Sequence, residues 1–258
     1  MDRFRVVTYN IHKCRGLDRR VRPARIVHVL REIDADVVAL QEVLCIRNGT
    51  AEDDQARFIA EGLGFEYRMG VTRRLHGGLY GNLILSRLPM LSSSFVDLSH
   101  PGREGRGCLR TDLVVASKRL VHVYNVHLGT AFVERRRQAR KLVGAPILSG
   151  DDVTGTRILL GDFNDWTRGL PTRLISQHFG CDDIRVHLGR RRTYPGVLPF
   201  LHLDHIYVDP NVSVEQALLH RSRTALIASD HLPIVADLRL EERQGTEGPG
   251  TDKGQERQ

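Results

Sequence analysis

Six short polar clusters punctuate this chain, and each follows an apolar, strand-like run. They are Tyr9-Asn10, Gln41-Glu42, Asn125-Val126-His127, Gly161-Asp162-Phe163-Asn164, Leu203-Asp204-His205 and Ser229-Asp230-His231. The runs leading into them are Phe4 to Thr8, Val37 to Leu40, Leu120 to Tyr124, Arg157 to Leu160, Phe200 to Leu203 and Ala225 to Ala228. A buried strand that ends in a carboxylate, carboxamide or imidazole is costly unless those groups meet a metal, a ligand or one another. Six such endings imply one shared site, gathered at one end of a β-scaffold from strands far apart in sequence.

The remaining pattern fits such a scaffold. Helices are expected at Pro23 to Glu32, where Pro23 suits a first turn and Ile26, Val27, Leu30 and Ile33 recur at helical spacing. Further helices are expected at Asp53 to Leu63, ended by Gly64, at Phe132 to Val143 and at Leu170 to His178. Strand-like pieces lie at Phe65 to Met69, Asn82 to Ser86, Ser92 to Leu98, Cys108 to Val115, His202 to Val208, Val212 to Leu219 and Pro233 to Leu240. Strands outnumber helices, and the helices are scattered among them, which predicts an α/β (α+β) chain with two stacked sheets flanked by helices. With 258 residues, 41% of them hydrophobic, the chain can bury one sizeable core. No linker interrupts the middle, so residues 1–240 are expected to form one domain. The polar, Gly-containing stretch at 241–258 is expected to be disordered.

A formal charge of +7 suits an anionic partner such as nucleic acid, an anionic lipid head group or a phosphorylated metabolite; ordinary surface charge is the competing explanation. Arginines cluster at 19–20, 73–74, 135–137 with Arg140, and 190–192. The helical cluster reads as a solvated face, and the cluster at 190–192 is expected to border the site. Four widely spaced cysteines, without a Cys-x-x-Cys pair, argue against a structural zinc site and a disulfide framework. The N-terminus runs straight into a strand, without a signal-peptide core, and no apolar run is long enough to span a membrane. A cytoplasmic protein with reduced thiols is the expectation; oligomeric state is not legible.

The clusters gather hard oxygen donors and imidazoles, the chemistry of Mg²⁺-assisted phosphate ester hydrolysis, with Mn²⁺ as the substitute ion. Asp162 and Asn164 stand two apart, so an extended segment points both to one side, where they hold a water and a phosphate oxygen. An Asx-turn is the alternative for the same residues. Asp204 lies inside an apolar run and needs a partner; His231 is that partner, with an arginine as the alternative. Glu42 is the natural magnesium carboxylate, with Asn10 beside it and Asp230 as a further metal or orienting group. His127 is placed to donate to a phosphate oxygen or the leaving group. Arg106, in the Gly-rich stretch 102–107, is a candidate phosphate contact, and that stretch reads as an active-site loop. His205 alternates away from Asp204 and reads as structural. No zincin helix, Walker A loop or nucleophile elbow is present.

In order along the chain, Thr8-Tyr9-Asn10-Ile11-His12, Leu40-Gln41-Glu42-Val43, Asn82-Leu83-Ile84-Leu85-Ser86-Arg87-Leu88-Pro89, Tyr124-Asn125-Val126-His127-Leu128, Gly161-Asp162-Phe163-Asn164, Leu203-Asp204-His205-Ile206 and Ser229-Asp230-His231-Leu232-Pro233 resemble the endonuclease/exonuclease/phosphatase superfamily. Thr193-Tyr194-Pro195 with Pro199 resembles its small single-domain bacterial branch. The resemblance implies a DNase I-like four-layer α/β/β/α sandwich with two mainly antiparallel sheets. It also implies a divalent-metal phosphodiesterase or phosphatase. Carried over, Glu42, Asn10 and Asp230 belong to the metal, Asp162 and Asn164 to the water and phosphate, and Asp204 with His231 to a carboxylate–imidazole pair. His127 matches the DNase I-like branch, where abasic endonucleases differ.

In-line attack by water is the expected reaction, with either Asp162 or His231 as the base; the sequence leaves both open. A nuclease is favoured by the basic charge. A phospholipid or small-molecule phosphodiesterase or phosphatase is the alternative, and low aromatic content (6%) weighs against a bilayer-docking form. A catalytically dead binding module would miss a ligand, and none is missing.

Overall fold

The computed structural model describes residues 2–46, 49–116, 118–167, 169–180 and 184–241. Cys181 and the tail from residue 242 onward therefore lie outside the described residues. Eleven named strands run β1 (Arg3–Asn10), β2 (Val37–Cys45), β3 (Glu66–Leu75), β4 (Gly78–Ser86), β5 (Met90–Asp97), β6 (Gly107–Val114), β7 (Leu120–His127), β8 (Thr156–Asp162), β9 (Asp204–Val208), β10 (Val212–Leu219) and β11 (Ile234–Leu240). Between them stand α1 (Pro23–Ile33), α2 (Gln55–Leu63), α3 (Phe132–Val143), α4 (Pro146–Ser149), α5 (Leu170–Phe179), α6 (Arg185–Leu188) and α7 (Ala225–Ala228).

The strands form a six-stranded sheet, β10-β11-β1-β2-β4-β3, and a five-stranded sheet, β5-β6-β7-β8-β9. Both are mixed, with a single parallel pair each among antiparallel neighbours: β1 with β2, and β7 with β8. Each parallel pair needs a crossover long enough to return over the sheet, and helices supply it. α1 bridges the first pair, and α3 with α4 bridges the second.

Side-chain alternation builds the layers. Along β1 and β2, Val6, Val37 and Ala39 enter a core between the sheets, while Val7, Val38 and Leu40 pack toward α1, α2 and α7. Along β8, Ile158 and Leu160 face the inter-sheet core, and Leu159 turns outward with Tyr124 and Tyr207 to meet Leu142, Ile147, Leu148 and Ile175 of α3, α4 and α5. Central strands buried on both faces read as unbroken apolar runs rather than alternating ones. The result is helices, sheet, sheet and helices.

Three expectations are corrected here. Ala225 to Ala228 is a helical turn, not a strand; Ser222 Oγ accepts from Ala225 N, and Leu226 N donates to the Ser222 carbonyl. A four-residue apolar run carries no period that tells the two apart. Phe200 to Leu203 is not a strand: it makes one isolated bridge, Tyr194 to Leu201, and β9 starts only at Asp204. Gln41-Glu42 does not end β2, which continues to Cys45 past a register shift between Leu40 and Val43.

Candidate active site

The inter-sheet layer changes character at one rim. Thr8 and Asn10 share parity with Val6 on β1, as Gln41 does with Ala39, Asn125 and His127 with Val123, and Asp162 with Leu160. The same alternation that fills the core therefore continues into polar groups. β1, β7 and β8 end at this rim, while β9 and β11 begin near it because they run antiparallel to β8 and β1. Asp204 and His231 arrive at the starts of strands, correcting the expectation that all six clusters are strand endings.

The first polar tier is a tie between the sheets. Gln41 Nε2 donates to Asn125 Oδ1 at 2.8 Å and to Thr8 Oγ1 at 3.1 Å. Asn125 Nδ2 donates across to the carbonyls of Leu40 and Leu83, both at 2.9 Å, and Asn82 Nδ2 reaches back to the carbonyls of Gly107 and Asn125. Asn125 and Gln41 thus spend their amides on this tie, and the candidate site lies in the tier above them.

In that tier, Asp162 stands at the centre. Its Oδ2 accepts from Asn10 Nδ2 at 2.9 Å, and lies 3.5 Å from His127 Nε2 and 3.8 Å from His231 Nε2. Its Oδ1 accepts from the backbone N–H of Asn164 at 2.9 Å. The Asx-turn therefore exists alongside the clustering: β8 stops at Asp162, and Asn164 adopts φ 49°, so the two are brought together by a turn rather than by strand alternation. Asn164 Nδ2 donates to the Leu128 carbonyl at 3.0 Å and lies 3.4 Å from His127 Nε2. Gly161, with φ 147°, lets β8 press against β7; a Cβ there would stand 1.9 Å from the Val126 carbonyl oxygen.

His231 Nδ1 lies 2.9 Å from Asp204 Oδ2, and both residues are buried. Burial opposes a charged ring, but the Asp204 and Asp162 carboxylates outweigh it and push His231 up to about 10. Asp204 Oδ1 has no hydrogen-bond partner. His127 goes the other way: burial and the nearby Arg106 cation push it down to about 4 against the pull of Asp162 and Glu42.

Glu42 reaches the site only because β2 bulges. By alternation it would face the helices, yet at φ 60° it turns so that Oε1 accepts from Asn10 Nδ2 at 3.2 Å. Lys13 Nζ donates to its other oxygen at 2.6 Å. Burial would raise the Glu42 carboxyl, but His127, Lys13 and Asn10 hold it well below the usual carboxylate range. Tyr80 also hydrogen-bonds Glu42, and burial together with that charge pushes its phenol up.

Of the remaining expected residues, Arg106 is buried and paired with Glu104 at 3.1 Å, close enough to His127 to depress it. Asp230 stands apart from the tight group, its Oδ1 3.6 Å from His12 Nδ1 and 3.3 Å from Ser229 Oγ. His205 is turned away, its Nε2 3.2 Å from the Asp165 carbonyl oxygen. Arg135 is buried rather than solvated. Sequence reasoning missed Lys13, His12 and Tyr80. Lys13 reaches Glu42 through three consecutive left-handed residues, His12, Lys13 and Cys14, which no local residue type announces.

Three carboxylates, two carboxamides and two imidazoles around one small volume form a hard, anionic donor set. Among the described residues, ligand atoms of Asp162, Asp204 and His231 lie within 4.8 Å of one another. Residues 7–231 match the model of the Endonuclease/Exonuclease/phosphatase family.

The chain belongs to that family, whose members hydrolyse phosphate esters and generally depend on divalent metal. It is 31% identical over 256 residues to the Uncharacterized protein YbhP of Escherichia coli (strain K12), covering 92% of this chain and 96% of that one. The fold is similar to that of the mannosyl-6-phosphatase Bt3783 of Bacteroides thetaiotaomicron VPI-5482, with TM-score 0.72 and 18% identity, covering 92% of this chain and 100% of that one. It is likewise similar to D. rerio TDP2 complexed with single strand DNA product, with TM-score 0.69 and 17% identity over 92% of this chain and 99% of that one. The likeness to both is one of fold: two mixed sheets with flanking helices.

Proposed function

We propose that the protein is a divalent-metal-dependent phosphodiesterase that cleaves nucleic acid by in-line attack of water. The observation that carries this reading is the convergence on Asp162 Oδ2 of Asn10, His127 and His231, beside Glu42 and the Asp204–His231 pair. Residues 1–240 act as one catalytic unit, in the reducing cytoplasm; Cys14, Cys45 and Cys108 are buried and in no disulfide among the described residues, which suits that compartment.

The donor set fits a hard divalent cation. Glu42, Asp162 and Asp204 bring excess negative charge into buried surroundings, Asp204 Oδ1 has no partner, and the Lys13 ammonium is already drawn onto Glu42. Mg²⁺ takes oxygen ligands, one or two of them carboxylates, which favours Glu42, with Asn10 beside it, over a position on His231. Asp230, held at His12 and Ser229, orients the rim instead. When bound, the metal neutralises charge on the phosphate and its leaving oxygen.

The protein's own groups do the rest. Asp162, fixed by Asn10 and by the Asn164 N–H, receives the proton of the attacking water. His231 holds its proton against Asp204 and donates to a phosphate oxygen. Asn164 and neutral His127 supply further hydrogen bonds, and Arg106 adds positive charge nearby. Exposed Arg74, Arg103, Arg190 and Arg191 give a polyanion additional phosphate contacts.

An activity panel with Mg²⁺ and Mn²⁺ tests the proposal on DNA, RNA, phospholipids and sugar or inositol phosphates. DNA or RNA should be cut, and Asp162→Asn should reduce turnover by about 10²–10⁴-fold. Cleavage of lipid or small phosphate monoesters but not nucleic acid would overturn the substrate assignment. Near-normal turnover in both Asp162→Asn and His231→Ala would overturn the site.

A further inference from the structure

Beside the catalytic rim lies a cavity of about 450 Å³, lined mainly by Trp166, Thr167, Arg192, Phe200, Leu201 and His202. Two loops form it, and both are extensions of the site. Trp166 follows Asn164 by two residues, and His202 precedes Asp204 by two, so each wall starts within roughly 7 Å of catalytic backbone. The second loop is also tied in at Tyr194, whose ring centre lies 4.9 Å from that of His231.

Aromatic side chains line the cavity. Trp166 is 45% exposed, and the Arg135 guanidinium lies 4.9 Å from its ring centre. Arg135 is buried and has no carboxylate within ion-pairing distance among the described residues. It donates to the Thr130 carbonyl, and its Nε has no hydrogen-bond partner. Asp165 pins the same loop through Thr167 Oγ1 at 2.9 Å and Thr172 Oγ1 at 2.8 Å. Phe200, 65% exposed, supplies a second aromatic ring to the lining. An exposed indole has no packing role that requires its open surface, whereas base stacking uses such a surface.

We propose that this cavity is a subsite for a nucleobase carried next to the scissile phosphate, stacked on Trp166 with Arg192 facing its acceptor edge. The inference rests on the phosphodiesterase reading and names the group that its substrate must present. The described lining holds no carboxylate and no carboxamide, so a sugar ring would find few acceptors for its hydroxyl protons. Arginine donors instead match the ring carbonyl and nitrogen acceptors of a base.

The chain contains one tryptophan, so its emission reports Trp166 directly. The full-length protein in chelator is titrated with guanosine 5′-monophosphate, ribose 5-phosphate and a hexose 6-phosphate. Saturable quenching by the nucleotide alone is expected. Equal quenching by ribose 5-phosphate or the hexose phosphate, or none by any of the three, would overturn the subsite. In turnover, Trp166→Ala should raise KM for a dinucleotide diester about 5- to 150-fold with little change in kcat. Trp166→Phe should restore most of it, and a ring-free diester should be unaffected. An equal loss on both diesters would overturn the stacking role. Selective quenching by a protein that cuts no diester would overturn the parent reading and leave the subsite standing.

Discussion

An ammonium group 2.6 Å from Glu42 shows how strongly that corner of the site draws positive charge. Lys13 and a divalent cation compete for the same carboxylate. Lys13→Ala should therefore tighten Mn²⁺ binding by about tenfold in calorimetry; equal or weaker binding would show that the lysine supports the metal instead. His231 and His127 set a second expectation for the chelated protein. His231 is raised from 6.5 to about 10, so its contribution to stability is complete below about 6.5 and is lost as pH rises through 10. His127 is lowered from 6.5 to about 4, so its contribution is complete above about 6.5 and is lost as pH falls through 4. Tm measured against pH in chelator should peak near 6.5, and His231→Asn should flatten the alkaline limb. An unchanged alkaline limb in that variant would show that the Asp204 pair does not hold the proton.

At the scale of elements, the site depends on two departures from regular strand geometry. The β2 bulge turns Glu42 inward at φ 60°, and Gly161 lets β8 approach β7 before Asp162. Gly161→Ala would force the Val126 carbonyl and the new methyl apart and displace Asp162 and Asn164 together. Turnover should fall by at least about 10²-fold, as for loss of a positioned proton acceptor, in a protein whose circular dichroism is retained. Normal turnover in that variant would mean the close approach does not position the site. These same departures mark where sequence reading stops. Asn10, His127 and Asp162 continue the parity of their apolar runs, so their convergence is legible from alternation alone. Glu42 and Asn164 reach the site through positive φ angles, and neither is a glycine that would signal one. The starts of β9 and β11 look like endings in sequence, because an apolar run does not say on which side of a polar cluster the strand lies. Two sheets with flanking helices are readable from element order; which strands pair in parallel depends on crossovers that composition does not encode.

Across the whole molecule, the two sheets are joined at the rim by hydrogen bonds rather than by apolar packing. Asn125 alone receives from Gln41 and donates to the carbonyls of Leu40 and Leu83. Removing it leaves several buried groups unpaired, each costing about 1–3 kcal/mol. Asn125→Ala should lower Tm by roughly 4–8 °C or more at about 2–4 °C per kcal/mol, measured calorimetrically in chelator. A shift under about 2 °C would show that the tie contributes little. The order of the larger sheet has a different consequence. β11 inserts between β1 and β10, so the strand nearest the amino terminus acquires one of its two neighbours only after residues 234–240 exist. His231 is made just before that strand. On a ribosome, where the chain emerges from the amino end at ~5–20 residues per second, the nascent polypeptide passes most of its synthesis without this histidine. A chain that stops short of residue 231 therefore lacks both the imidazole that pairs with Asp204 and the strand that flanks β1.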